Sequence, residues 1–223
     1  MSNRILVINP NSNEQVTEAM DRALDPFRGE NCPTIDCITL REGPLGIESQ
    51  SDADAAAPLV YRTVYENEEN ADAFVIACYS DPGLRAAREL TRKPVFGIAE
   101  AGLSTAIMLG GRIGVISILE NAVERHFSYA RSLSLDSRIV ADVPIGLSVA
   151  ELADEKIVTS KMLDVGRRLH RDFGADVIVL GCAGMARYRR ALEDNIGVPV
   201  IDPTQAAVAA AVSALRLKIL VSR

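Results

Sequence analysis

The chain repeats itself. Ala71-Asp72-Ala73-Phe74-Val75-Ile76-Ala77-Cys78 is echoed by Gly174-Ala175-Asp176-Val177-Ile178-Val179-Leu180-Gly181-Cys182, with the two cysteines 104 residues apart. Lys93–Ala101 is echoed by Val198–Ala206 at an offset of 105, and Arg4–Ile8 by Arg112–Ile116 at 108. Three blocks in the same order at nearly one offset describe a duplicated unit. The fold must therefore be one that half of this chain can adopt twice. Gly110-Gly111 lies near the midpoint, which sets the first repeat over residues 1–110 and the second over 111–223. No low-complexity linker separates the halves, so they are expected to pack closely.

Within each repeat, short β-branched runs alternate with longer helical patterns. The candidate strands are Arg4–Ile8, Ile35–Thr39, Ala73–Ala77, Val95–Ile98, Arg112–Ser117, Arg138–Val143, Asp176–Leu180 and Val198–Ile201. The candidate helices lie near Asn13–Leu24, Ala53–Asn67, Pro82–Leu90, Ala101–Leu109, Glu120–Leu133, Asp154–Phe173 and Pro203–Leu217. Continuous apolar strands such as Phe74-Val75-Ile76-Ala77 suit a parallel sheet covered on both faces. The alternation predicts an α/β class: two similar doubly wound lobes with parallel sheets, related by a pseudo-twofold, with the active site in the cleft between them. The helices near 101–109 and 203–217 close the two repeats and are placed to exchange between lobes.

Composition narrows the partners. Thirty acidic residues against 24 basic ones, a net charge of -6 and no dense Lys/Arg block argue against a nucleic-acid surface or a membrane anchor. The longest apolar stretch, Ala206–Leu215, is too short to span a bilayer. Met1–Arg4 runs into a strand-like segment and not into a signal-peptide core, so a cytoplasmic protein with free thiols is expected. The four cysteines form no CxxC pair, and His126 and His170 lie far from them in sequence; no metal site is expected.

Ligands of open parallel sheets bind beyond the carboxyl ends of the strands, and Cys78 and Cys182 each follow directly on a strand. A single cysteine there reads as a buried structural thiol. Two at equivalent points of a duplicated chain read as a facing pair. Asp81 before Pro82 is expected to cap the helix that follows, placing Cys78 near a helix N-terminus. After Cys182, the small residues Ala183 and Gly184 let backbone N–H groups approach a ligand. In Asn9-Pro10-Asn11-Ser12-Asn13, Ser12 or Asn13 can cap a helix and Asn11 can bond a ligand carbonyl or imide; a plain Asn/Pro turn explains the segment as well. Ser117 stands at the equivalent point of the second half. Gly43–Ser49 reads as a Gly/Pro turn that can also cover the cleft. His126 and His170 sit in charged helices and read as surface residues, Arg187, Arg189 and Arg190 as a solvated helix face, and Cys32 and Cys37 as structural thiols.

Taken together, Ile8–Asn13, Gly43-Pro44 with Ile47-Glu48-Ser49, Cys78–Leu84 and Gly181–Met185 resemble the aspartate/glutamate/hydantoin racemase superfamily, and within it the hydantoin and allantoin racemases. The amino-acid racemases of that superfamily typically carry Cys-Asn-Thr and Gly-Cys-Thr, where this chain has Cys78-Tyr79-Ser80 and Cys182-Ala183-Gly184, which points away from free aspartate or glutamate. Decarboxylase relatives lack the first cysteine; maleate isomerase-like chemistry, which keeps both, stays open, as does a non-catalytic small-molecule binder. The resemblance implies an isomerase with no cofactor and no metal, a small-molecule substrate and a homo-oligomer. It implies Cys78 and Cys182 as the acid/base pair and Asn11, Ser80, Asp81, Ser117, Ala183 and Gly184 as pocket residues.

The implied chemistry suits a duplicated chain. A 5-substituted hydantoin has its chiral C–H beside a ring carbonyl, and removing that proton gives a planar enolate. Inversion then needs a base on one face and an acid on the other. An unperturbed thiol, with a pKa of about 8.5, can serve as either. A near-symmetric reaction thus matches a near-symmetric protein.

Overall fold

A computed structural model describes residues 3–219. The first repeat carries strands β1 (Arg4–Asn9), β2 (Thr34–Thr39), β3 (Ala73–Ile76) and β4 (Val95–Gly97), with helices α1 (Glu14–Ala23), α2 (Gln50–Glu66), α3 (Leu84–Leu90) and α4 (Ile98–Leu109). The second carries β5 (Ile113–Ser117), β6 (Ile139–Pro144), β7 (Val177–Leu180) and β8 (Val200–Ile201), with α5 (Glu120–Ser132), α6 (Glu155–Arg171), α7 (Arg189–Ile196) and α8 (Pro203–Leu217). Each half forms a four-stranded parallel sheet, in the order β2-β1-β3-β4 and β6-β5-β7-β8. These are the two parallel-sheet α/β lobes that the alternating pattern predicts. Among the described residues, no helix is long and apolar enough to cross a membrane.

The duplication extends to single hydrogen bonds. The carboxylate of Asp72 accepts from Arg4 N at 2.8 Å, and that of Asp176 from Arg112 N at 2.8 Å. Phe74 N donates to Pro94 O and Ile178 N to Pro199 O, each at 2.9 Å. Both central strands, β3 and β7, are fully buried, so their apolar runs face covering helices on both sides. One hydrophobic cluster passes through both lobes, from Val7, Val75 and Ile98 to Ile116, Ile178 and Val208. α4 packs on β7, while α8 packs on β3 and β4. The two helices approach closely where a Cβ on Gly102 would sit 2.9 Å from Pro203.

Local signals set half of the helix starts. Asn13 accepts from Gln15 N to cap α1, Ser49 and Asp52 form a reciprocal capping box on α2, and Asp154 caps α6. α7 has no counterpart among the expected helices. Only Leu192 of it is buried, so its sequence has no apolar periodicity to read.

Asp81 corrects a second expectation. It does not cap its own helix: α3 begins at Leu84, after Gly83 at φ 75°, and has no side-chain cap. A Cβ on Gly83 would meet Ala57 O at 2.8 Å, which fixes glycine there. The Asp81 carboxylate instead accepts from Ala99 N and Glu100 N, both at 3.0 Å, and so caps α4 from a distance. In the second repeat the matching helix, α8, is capped by its own Asp202 through Thr204 N and Gln205 N. The residue equivalent to Asp202 is Gly97, where a Cβ would lie 2.2 Å from Asp81 Cγ. The cysteine loop thus supplies the carboxylate that position 97 lacks.

Burial pushes Asp81 up to about 6 even though Tyr129 and two backbone N–H groups favour its charged form, and it raises Asp202 to about 6 as well. A carboxyl raised above its ordinary 3.8 binds its proton more tightly in the folded chain. That contribution to stability is complete below about 3.8 and is lost as pH rises through about 6. An Asp81→Asn variant removes the ionisation. The wild-type Tm minus the variant Tm should therefore fall by a few degrees between pH 4 and pH 7. A difference that grows over this range would contradict the burial account.

Candidate active site

Each thiol is delivered by the same backbone device. Ala77 N donates to Ile8 O and Gly181 N to Ile116 O, both at 2.8 Å, which extends β3 and β7 by one residue. The following residue then emerges at the carboxyl edge of its sheet, and in the two lobes that residue is Cys78 and Cys182. Gly181 is glycine because a Cβ would lie 2.8 Å from Ile116 O. Both half-buried thiols line one cavity, together with Asn11, Ile47, Tyr79, Ser80, Arg125, His126, Val149 and Ala183. Its free volume is about 30 Å³, enough for water but not for a ring-sized ligand. A larger cavity of about 620 Å³ shares Tyr79, Ser80 and Arg125 with it and adds Ser49, Gln50, Asn121 and Ser128.

The surroundings of the two sulfurs also match. Ser80 N–H points to Cys78 and Gly184 N–H to Cys182, two positions on in each case. Burial pushes Cys78 up to about 12, opposed by the Ser80 N–H and the Arg125 charge; the Cys182 and Asp81 charges raise it further. Burial pushes Cys182 up to about 11, opposed by the Gly184 N–H. Both are therefore thiols at neutral pH.

Of the residues singled out in the sequence, Asn11, Ser80, Ala183 and the two cysteines meet at this cavity. Asn11 Oδ1 accepts from Asn9 Nδ2 and from Asn13 N, which leaves Nδ2 as its group for a ligand carbonyl. Gly184 contributes its N–H from behind, where a Cβ would crowd Leu152 at 3.0 Å. Ser117 ends β5 fully buried, with an unpartnered Oγ, and does not line the cavity. Asp81 does not line it either. Its carboxylate is turned to the start of α4 and accepts from Tyr129 Oη at 2.7 Å, which joins the first lobe to α5 of the second.

The Gly43–Ser49 segment lies across the cleft. Ser12 N donates to Pro44 O at 2.8 Å, and a Cβ on Gly43 would collide with Pro10 O. Ile47 then reaches the thiol cavity, and Glu48 Oε1 accepts from Val149 N of the second lobe at 2.8 Å. Arg125 Nη1 donates to Glu48 O at 3.3 Å. The segment is a strap tied to both lobes.

His126 is the residue that sequence reasoning misplaced. It is buried, its Nδ1 lies 2.7 Å from Asp142 Oδ2, and its ring lines the thiol cavity. The available signal was the spacing Ala122, His126, Ala130, which puts it on the narrow buried face of α5. His170 is exposed, with Nδ1 donating to Ala175 O, and Arg187, Arg189 and Arg190 pair with Glu155, Glu193 and Asp194. Cys32 and Cys37 lie away from the cavity. Among the described residues, no group of three His, Cys, Asp or Glu is placed to hold a metal ion.

Raised thiols have a direct consequence for reactivity. Iodoacetamide modification of Cys78 and Cys182 should be slow at pH 7 and climb steadily to pH 10. A plateau near pH 8.5, the behaviour of an exposed thiol, would contradict the burial of this pair.

Comparison with known proteins gives the site its context. Residues 5–211 match the family described as Asp/Glu/Hydantoin racemase. The hydantoin racemase of Pseudomonas sp. (strain NS671) is 36% identical over 208 residues, covering 92% of this chain and 83% of that protein. The hydantoin racemase of Paenarthrobacter aurescens is 36% identical over 217 residues, covering 96% and 92%. The allantoin racemase of Klebsiella pneumoniae superposes with a TM-score of 0.93 at 32% identity, over 99% of this chain and 91% of that one. Duplicated lobes, a matched pair of strand-end cysteines and relatedness over nearly the whole length agree, and the chain is a racemase of the Asp/Glu/hydantoin racemase family.

Proposed function

We propose that the protein racemises 5-substituted hydantoins, allantoin among them, with Cys78 and Cys182 as the two proton carriers and no cofactor. The observation that carries this reading is the equivalence of the two thiols: each follows a central strand, each has the N–H two residues on, and both line one cavity. The relatives named hydantoin racemase and allantoin racemase support the substrate class.

In this mechanism one cysteine is a thiolate and takes the proton from carbon 5. The C–H electron pair moves into the ring to give the enolate of the adjacent carbonyl. The partner thiol then gives its proton to carbon 5 from the opposite face and is left as the thiolate, so charge and protons balance. The enantiomer runs the same path in reverse. Because a charge on Cys182 raises Cys78, the pair loses one proton and resists losing two. Asn11 Nδ2 is the side-chain donor available to the developing enolate oxygen. The 620 Å³ cavity lined by Ser49, Gln50, Asn121, Arg125 and Ser128, with Ala53, Tyr79 and Tyr129, takes the substituent on carbon 5. A ring cannot enter a 30 Å³ space, so the strap carrying Ile47 and Glu48 must shift on binding.

Loss of optical rotation from a single enantiomer of allantoin or 5-benzylhydantoin, read against a no-enzyme control, tests the activity. Cys78→Ala and Cys182→Ala should each lower the enzymatic rate by about a hundredfold or more. Undiminished racemisation by either variant would end the two-thiol scheme.

A further inference from the structure

His126 stands in the wall of the thiol cavity, backed by the buried Asp142, and the two-thiol scheme gives this couple no task. Its side chains are 5% and 1% exposed, and the Nδ1–Oδ2 distance is 2.7 Å. A carboxylate only accepts, so in the neutral imidazole the proton of this bond sits on Nδ1 and Nε2 is the acceptor. The Tyr79 ring, directly after Cys78, meets the imidazole edge-on with centroids 4.9 Å apart and planes at 77°. The imidazole is thus fixed from two sides. Among the described residues, Nε2 has no hydrogen-bond partner. Packing alone does not call for a histidine here, because α5 places alanine at 122 and 130 on the same buried face and an apolar side chain avoids the cost of desolvation.

The other polar groups of the cavity explain what an imidazole adds. Asn11 presents Nδ2, the two backbone N–H groups serve the sulfurs, and Arg125 carries only donors, its Nε buried without a partner. A hydantoin ring alternates carbonyl acceptors with N–H donors. Donors satisfy its carbonyls, and a ring N–H left unpaired in a buried site is costly. The Tyr79 and Ser80 hydroxyls of the same cavity can donate as well as accept, the Tyr79 Oη being buried without a partner; Nε2 of the neutral imidazole is the side-chain group that only accepts.

We propose that His126 is a substrate-contacting residue, its Nε2 accepting a hydrogen bond from a ring N–H of the hydantoin and so holding carbon 5 between the two thiols, with Asp142 and Tyr79 as positioning residues. This rests on the hydantoin reading and adds a residue to it.

The test is a cycle between substrate and residue. A 5-substituted oxazolidine-2,4-dione replaces one ring N–H by oxygen at nearly the same size, and the 3-methylhydantoin replaces the other ring proton by methyl. kcat/KM is measured on the parent hydantoin and both analogues for wild type, His126→Phe and His126→Gln. Phenylalanine keeps the edge contact with Tyr79 and removes the acceptor; the glutamine amide oxygen can restore it. The wild-type preference for the parent over one analogue should shrink by about tenfold or more in His126→Phe and return in part in His126→Gln. Unchanged preferences for both analogues in His126→Phe would overturn the proposal. Should that variant fail to fold, Asp142→Leu carries the same comparison, because it removes the acceptor that holds the proton on Nδ1 at nearly the same size. A wild type inert on every hydantoin would strike the functional reading itself, and this inference with it.

Discussion

The structure depends on one short hydrogen bond made twice. Ala77 N–H to Ile8 O and Gly181 N–H to Ile116 O extend β3 and β7 by one residue and fix where the next side chain emerges. A backbone bond is indifferent to side chains, so it survives when the repeats diverge around it. Each lobe therefore presents a thiol at the same height on its sheet, and facing the lobes brings the two to one cavity. The matched placement of the thiols needs no special arrangement beyond that of the fold. It is a product of register.

Where the repeats differ, the first lobe reaches into the second. Gly97 cannot cap α4 as Asp202 caps α8, so Asp81 leaves its own helix uncapped and supplies the carboxylate. That detour anchors the loop from Cys78 to Asp81 at both ends and, through Tyr129, ties it to the opposite lobe. The strap does the same at the cleft mouth, where Glu48 bonds Val149 and Arg125. Such ties close the two lobes around the site. The burial that results explains why both thiols sit well above their ordinary range.

How much of this was legible in the sequence follows from what kind of signal each feature leaves. The strands, the lobes and the two cysteines were legible because buried parallel strands write continuous apolar runs, and duplication writes each of them twice. Asn13 as the cap of α1 was legible as a local pattern. Asp81 was not, since Asp-Pro is the ordinary signature of a local cap and nothing local says that the carboxylate turns toward residues 99 and 100. His126 was hidden by its neighbours Glu124 and Arg125, which make the helix look solvated, while its partner Asp142 lies on a strand 16 residues away. α7 was hidden because a helix with a single buried side chain has no period. Long-range polar partners and helices without an apolar stripe are what a single sequence conceals.

The central claim is that each thiol works on one face of the substrate. The direct measurement follows exchange of the carbon-5 proton by NMR in heavy water, with each pure enantiomer and each of the Cys78→Ala and Cys182→Ala variants. One variant should wash deuterium into one enantiomer only, and the other variant into its mirror image, with neither producing racemate. Equal exchange into both enantiomers by either variant would contradict the account.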